Sequence, residues 1–109
     1  MQRMGMVLGL KPEKVEEYKR LHADVWPAIL ALLSRHNITN YSIFLKQPEN
    51  LLFGYWEYVG EDFDADMRGI MDDPTNKAWW DVCMHCQQPL ENRKPGEWWA
   101  TMDEVFHLD

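Results

Sequence analysis

The alternation of apolar and polar positions predicts four β-strands, two near the ends of the chain and two in its middle. Met4–Leu10 is a short apolar run without helix signals, and a similar run extends from about Ala100 to Leu108. Ile38–Lys46 and Leu51–Val59 are rich in β-branched and aromatic residues, and the turn sequence Gln-Pro-Glu-Asn separates them. The two central runs therefore predict a β-hairpin.

Apolar residues that recur every three to four positions predict two helical regions, each interrupted once. The first region begins at a Lys-Pro-Glu sequence, where proline is tolerated in the first turn and an acid favours the helix N-terminus. Pro27 cannot donate the hydrogen bond of a continuous helix, which predicts a break near Asp24–Trp26 and a second piece at Ala28–His36. The other region begins within residues 61–73, is interrupted at Asp-Asp-Pro-Thr, and resumes from Asn76 to Pro89.

The order of these elements is β-α-β-β-α-β, which predicts an α+β, ferredoxin-like fold in one domain spanning residues 1–109. In that fold, helices cover one face of a four-stranded antiparallel sheet. In the third strand, Leu51 and Phe53 point to one face, whereas Leu52 and Trp56 point to the other. The face without helices needs a cover, because a large apolar patch rarely stays in water. We therefore expect a homodimer through the sheet faces, a dimeric α/β-barrel that encloses a small ligand.

Composition and charge exclude several classes of partner. The formal net charge is −7 with only 11 Lys and Arg residues, so binding to a nucleic-acid backbone is electrostatically unfavourable. No apolar run approaches the roughly 20 residues that cross a bilayer, and the N-terminal run is too short for a signal peptide. We therefore expect a soluble cytoplasmic protein that binds neither nucleic acid nor membrane.

The two cysteines form a C-x-x-C pair, Cys83 and Cys86, a spacing found in redox and zinc sites. A structural zinc site needs four ligands, and the chain has no second pair. A thioredoxin-like motif would follow a buried strand at a helix start, whereas this pair falls inside the helical pattern. We expect small core or surface thiols in a reducing compartment and no metal site.

The polar groups expected to converge on one site are Tyr18, His22 and Tyr41. Tyr18 and His22 are four residues apart, so on a helix they lie on one face, one turn from each other. A histidine with a pKa of about 6.5 can both give and take a proton near neutral pH. Packing is the alternative for each of these residues, since a lone histidine on an apolar face is more often part of the core.

The chain contains two pairs of adjacent tryptophans, and the first pair suggests apolar walls for a pocket. The neighbours Trp79 and Trp80 diverge by about 100° on a helix, so we expect one in the core and the other at a pocket wall or an interface. Trp98 and Trp99 occur in a less regular context, and for them we expect packing or dimer cover.

Several segments together resemble the L-rhamnose mutarotase family: EEYKRLHADVWP, HNITNYSIFL, NLLFGYWEY, the first tryptophan pair and the closing DEVFHLD. The resemblance covers nearly the whole chain in the same order. It implies dimers of ferredoxin-like subunits and a cofactor-free isomerase that interconverts the α and β anomers of L-rhamnose in rhamnose catabolism. It also implies that His22 is the proton donor and that sugar contacts fall on Tyr18, Tyr41, Trp79 and Trp80.

Such a reaction opens a cyclic hemiacetal: an acid protonates the ring oxygen while a base removes the proton of the anomeric hydroxyl. The sequence suggests His22 as the acid and does not identify the base. Two alternatives stay open. One is a dimeric ferredoxin-like monooxygenase or haem-binding protein with His22 as an axial ligand, and the other is a sugar-binding module without catalytic activity.

Overall fold

In the computed structural model, which describes all 109 residues, the chain forms five strands and four α-helices. The strands are β1 (Gln2–Leu10), β2 (Ile38–Lys46), β3 (Leu51–Tyr58), β4 (Gln87–Gln88) and β5 (Ala100–Met102). The helices are α1 (Val15–Ala23), α2 (Pro27–Arg35), α3 (Phe63–Met71) and α4 (Pro74–Met84), and a short 3₁₀ helix, Pro12–Lys14, precedes α1. None of these helices is long and apolar enough to span a membrane.

The sheet is antiparallel throughout and has the order β2-β3-β1, with β4 and β5 both paired to the remaining edge of β1. β4 pairs with Gly9 and Leu10, whereas β5 pairs with Gly5 to Val7. The two short strands are therefore two halves of the fourth strand of a ferredoxin-like sheet. This topology confirms the predicted α+β fold class.

Two boundaries in the C-terminal quarter were predicted wrongly. The helix expected to reach Pro89 ends at Met84, because residues 87–88 pair with β1 as β4. The last strand, expected to reach Leu108, stops at Met102, where an Asp-Glu pair that is poorly suited to strands follows it.

Local sequence signals explain where two of the helices begin. α2 begins at Pro27, and the predicted break at Asp24–Trp26 is confirmed. The carboxylate of Asp73 caps α4 by accepting hydrogen bonds from the backbone N–H groups of Thr75 and Asn76 at 2.8 and 3.1 Å. These signals fix the ends of the helices that surround the site described below.

The two faces of the sheet differ in burial as the alternation in β3 predicts. Leu52, Trp56 and Tyr58 are buried beneath the helices. Leu51 and Phe53 lie on the opposite face and are only half-buried. The hydrophobic core therefore lies on the helix-covered face, and the outer face retains apolar side chains without a cover in the single chain.

Candidate active site

A cavity of about 330 Å³ lies between the helix-covered face of the sheet and the helices. Sixteen of its 19 lining residues are hydrophobic. Its volume falls within the range of roughly 300–1,000 Å³ that is typical of small-molecule sites. The cavity is formed within one chain, and its place differs from that of the enclosure expected between two paired sheets.

His22 and Tyr18 contact each other at the wall of this cavity. Both belong to α1, and their ring centroids are 4.1 Å apart in a stacked arrangement. The i, i+4 spacing on one helical turn brings the rings together, as the sequence predicts. The centroid of the His22 ring also lies 5.3 Å from the centroid of the Trp79 ring.

The hydrogen bonding of His22 defines which of its nitrogens can act on a ligand. Nδ1 lies 3.0 Å from the backbone carbonyl oxygen of Tyr18. Because a carbonyl can only accept, Nδ1 donates this bond and Nε2 is left with a lone pair in the neutral ring. Burial lowers the pKa of His22 below its ordinary value of 6.5, with the bond to Tyr18 opposing part of that change. His22 is therefore mainly neutral at pH 7, with Nε2 able to accept a proton.

The tryptophan pair of α4 divides as expected between core and surface. Trp79 is buried and packs against Trp26, with the ring centroids 5.1 Å apart. Trp80 is 40 % exposed. Both residues line the cavity, so Trp79 connects the core to the site and Trp80 forms an outer part of its wall.

A bulge in β2 turns Tyr41 toward the cavity. The pairing between β2 and β3 shifts between Thr39 and Ser42, so that β2 accommodates an extra residue. Asn40 adopts a positive φ of 51°, a conformation that asparagine tolerates better than most residues. The extra residue reverses the alternation of the strand, and Tyr41 and Ile43 both line the cavity.

The two tyrosine hydroxyls stay protonated at neutral pH. Removal from water raises the pKa of Tyr18 above its ordinary range, with the nearby Gln87 amide opposing part of the rise. The same cause raises the pKa of Tyr41 to about 12, although the residue as a whole is 40 % exposed, because its phenol end lies in the cavity. Both hydroxyls can therefore donate as well as accept hydrogen bonds to a polar ligand.

The cavity lining also includes residues that the sequence did not assign to the site, among them Asn76, Gln87, Trp98 and Trp99. The indole Nε1 of Trp98 donates to Oε1 of Gln87 at 2.8 Å, so the loop between β4 and β5 covers one side of the cavity. A signal did exist for Asn76, since it precedes Trp79 by three residues and so shares its helix face. For Gln87 there was none, because its position depends on the unexpected strand β4.

The two cysteines are free, buried thiols without the features of a reactive pair. Burial raises the pKa of Cys83 to about 12 and that of Cys86 to about 11. The Cys86 thiol also donates to Oε2 of Glu17 at 3.2 Å. Cys83 lines the cavity as a small apolar group, and the chain contains no cluster of three or more His, Cys, Asp or Glu side chains that could hold a metal ion.

A family model and individual relatives of this chain indicate the same protein family. A family model described as L-rhamnose mutarotase matches residues 3–108. The chain is 33 % identical to a protein named L-rhamnose mutarotase from Oceanobacillus iheyensis and 34 % identical to one from Lactiplantibacillus plantarum, in each case over 109 residues and the full length of both chains.

Solved structures support the same fold. The crystal structure of an L-rhamnose mutarotase from Formosa agariphila superposes with a TM-score of 0.80 at 23 % identity, covering all of both chains. A polyketide cyclase from Streptomyces glaucescens, tetracenomycin F2 cyclase, superposes with a TM-score of 0.66 at 14 % identity over the same full coverage. The fold alone thus accommodates different chemistries, whereas the sequence match is specific. This chain belongs to the L-rhamnose mutarotase family.

Proposed function

We propose that this protein is a mutarotase that interconverts the α and β anomers of L-rhamnose. The observation that carries the proposal is the position of His22, whose imidazole contacts Tyr18 and Trp79 at the wall of an apolar cavity with Nε2 left free to accept a proton. Family membership and full-length similarity to proteins named L-rhamnose mutarotase support the choice of sugar.

In the proposed reaction, Nε2 of His22 removes the proton of the anomeric hydroxyl as the bond between C1 and the ring oxygen breaks. The ring oxygen takes a proton from the imidazolium so formed, directly or through one water molecule, and C1 becomes a carbonyl carbon. His22 thus acts as the acid after it has acted as the base. Rotation about C1–C2 presents the other face of the carbonyl, and the reverse transfers close the ring into the other anomer.

The aromatic walls and the tyrosine hydroxyls suit such a substrate. L-rhamnose is a neutral 6-deoxy sugar with a methyl group and C–H faces, and the rings of Trp79 and Trp80 would pack against these apolar surfaces. The hydroxyls of Tyr18 and Tyr41 would bond the hydroxyls of the sugar. The acidic net charge of −7 does not oppose binding, because the substrate carries no charge.

The rate of anomer exchange is expected to fall as the pH drops through the pKa of His22. Burial holds this pKa below 6.5, and protonation removes the lone pair of Nε2. We therefore expect kcat/KM to be constant above about pH 7 and to decline with a midpoint below the ordinary histidine value of about 6.5. Initial rates measured from about pH 5 to pH 8, corrected for exchange catalysed by the buffer, test this prediction. A kcat/KM that rises as the pH falls over this range would contradict the accepting role of Nε2.

We also propose a homodimer paired through the outer faces of two sheets. Phe44 is 65 % exposed on that face, beside the half-buried Phe53 and Leu51, an apolar surface that a second copy would cover. Sedimentation equilibrium should give twice the chain mass for the wild-type protein. Phe44→Asp is expected to shift the protein toward monomer, whereas Leu30→Asp, at an apolar position on α2 that is 53 % exposed, should not. A monomeric wild type at micromolar concentration would contradict the dimer.

We further assign the protein to the cytoplasm. Both cysteines are free thiols, the state that a reducing compartment maintains. Cell fractionation followed by immunodetection tests this assignment, and recovery of the protein outside the cytoplasmic fraction would contradict it.

Polarimetry on freshly dissolved α-L-rhamnose tests the function itself. The optical rotation should approach its equilibrium value at a rate that rises in proportion to protein concentration. A sugar-binding module would quench tryptophan fluorescence on addition of L-rhamnose without changing this rate. A haem protein would develop a Soret absorbance on titration with haem, and that result together with an uncatalysed rate would replace our proposal.

A further inference from the structure

The side-chain amide of Asn76 is buried without a protein partner. Asn76 lies in the first turn of α4, is only 2 % exposed and lines the cavity. Of the buried side-chain nitrogen and oxygen atoms in the chain, its Nδ2 is the one that has no hydrogen-bond acceptor. The helix start does not use this side chain, because the Asp73 carboxylate accepts from the backbone N–H of Asn76 at 3.1 Å.

An unbonded amide at this position weakens the fold of the unliganded protein. Moving an amide out of water costs free energy unless a new hydrogen bond replaces the lost one. A leucine has a similar size and would occupy the same apolar surroundings without this cost. The amide therefore contributes nothing evident to folding. Nδ2 is itself buried, so the side chain would have to rotate to present this donor to an acceptor that enters the cavity.

Two neighbouring polar groups already have partners within the chain. Gln87 accepts a hydrogen bond from Trp98, and Nδ1 of His22 donates to a backbone carbonyl. Asn76 precedes Trp79 by three residues, so the two side chains lie on the same face of α4, one turn apart. A ligand packed on the Trp79 ring would thus lie close to the side chain of Asn76.

On the basis of the function proposed above, we infer that Nδ2 of Asn76 donates a hydrogen bond to a hydroxyl oxygen of the bound sugar away from the anomeric carbon. The anomeric hydroxyl is assigned to Nε2 of His22, so the acceptor is a hydroxyl on C2, C3 or C4 of the 6-deoxy sugar. Asn76 is then a residue that determines which sugar binds, and it takes no part in the proton transfers.

The substitution Asn76→Leu separates this role from a structural one. We expect the KM for L-rhamnose, and the Kd from quenching of tryptophan fluorescence, to rise about tenfold because one hydrogen bond is lost. The kcat should stay within about twofold of wild type, since His22 is untouched, and the melting temperature of the unliganded protein should be equal or higher. Asn92→Leu, the same change at an exposed loop position outside the cavity, is the matched control and should leave all of these values unchanged.

Monodeoxy analogues of L-rhamnose identify the acceptor. One of the 2-deoxy, 3-deoxy and 4-deoxy sugars should bind the wild type about tenfold more weakly than L-rhamnose, and this difference should largely disappear in Asn76→Leu. If every difference in binding between L-rhamnose and a deoxy analogue is the same in Asn76→Leu as in the wild type, the inference is overturned.

The remaining outcomes are also decisive. A lower melting temperature or loss of folding in Asn76→Leu would overturn the inference, because the amide would then serve the fold. If the wild-type protein is active and Asn76→Leu has the same KM, the inference is also overturned, while the proposed function is unaffected. A wild type that does not accelerate anomer exchange at all refutes the proposed function, and the inference about Asn76 with it.

Discussion

Replacing His22 with glutamine is expected to lower the kcat for L-rhamnose anomer exchange about 10²–10⁴-fold, the usual contribution of general acid–base catalysis. Glutamine retains hydrogen-bonding capacity but cannot take up and release a proton near neutral pH. The helix should persist, because glutamine is a better helix former than histidine and the backbone of α1 is unaffected. The KM should change less than kcat, since the two tyrosines and the tryptophan walls that are proposed to bind the sugar remain.

The control for this variant is His85→Gln. His85 is exposed and does not line the cavity. Its backbone carbonyl accepts a hydrogen bond from Nζ of Lys11, and a substitution of the side chain retains this bond. This variant should have wild-type kcat and KM. If a correctly folded His22→Gln protein, judged by circular dichroism and melting temperature, exchanges anomers at the wild-type rate, His22 is not the proton-transfer residue.

Trp79→Ala is expected to destabilise the protein by about 3–5 kcal/mol, the usual cost of removing a buried tryptophan. Trp79 is 6 % exposed and contacts both Trp26 and His22, so its removal leaves a cavity between α1 and α4. A loss of this size is a large part of the roughly 5–15 kcal/mol that stabilises a typical domain. Activity should also fall, because the imidazole loses one of the two rings that hold it.

Trp80→Ala is the matched comparison, since it makes the same change one residue later. Trp80 is 40 % exposed, so the free energy of unfolding should decrease by only about 1 kcal/mol. We expect its KM for L-rhamnose to rise severalfold through loss of an apolar wall, with kcat nearly unchanged. Urea denaturation and steady-state rates on both variants provide the test. Equal destabilisation by the two substitutions would contradict the division between core and wall.

Parts of the site that depend on local sequence could be predicted. The Tyr18–His22 contact follows from an i, i+4 spacing on one helix, and the break before Pro27 follows from a missing N–H group. Trp79 and Trp80 differ in exposure because neighbouring residues on an ideal helix are rotated by about 100° from each other. In each case the physical cause lies within one or two turns of the chain.

The missed parts depend on contacts between distant segments. β4 is two residues long and exists only because it pairs with β1, so no pattern in the local sequence indicates it. Its formation splits the fourth strand and leaves residues 89–99 as the loop from which Trp98 reaches Gln87. The bulge at Asn40 is similar, because strict alternation along β2 would not have shown which face Tyr41 takes.

We propose that this protein exchanges the anomers of L-rhamnose through His22. Saturation-transfer NMR on L-rhamnose at anomeric equilibrium tests it most directly, because the experiment measures exchange without any net reaction. Saturating the α anomeric proton should reduce the β signal, with an exchange rate that rises linearly with wild-type protein and stays at or near the buffer rate with His22→Gln. A wild-type exchange rate equal to that of buffer, with the protein folded, would contradict the claim.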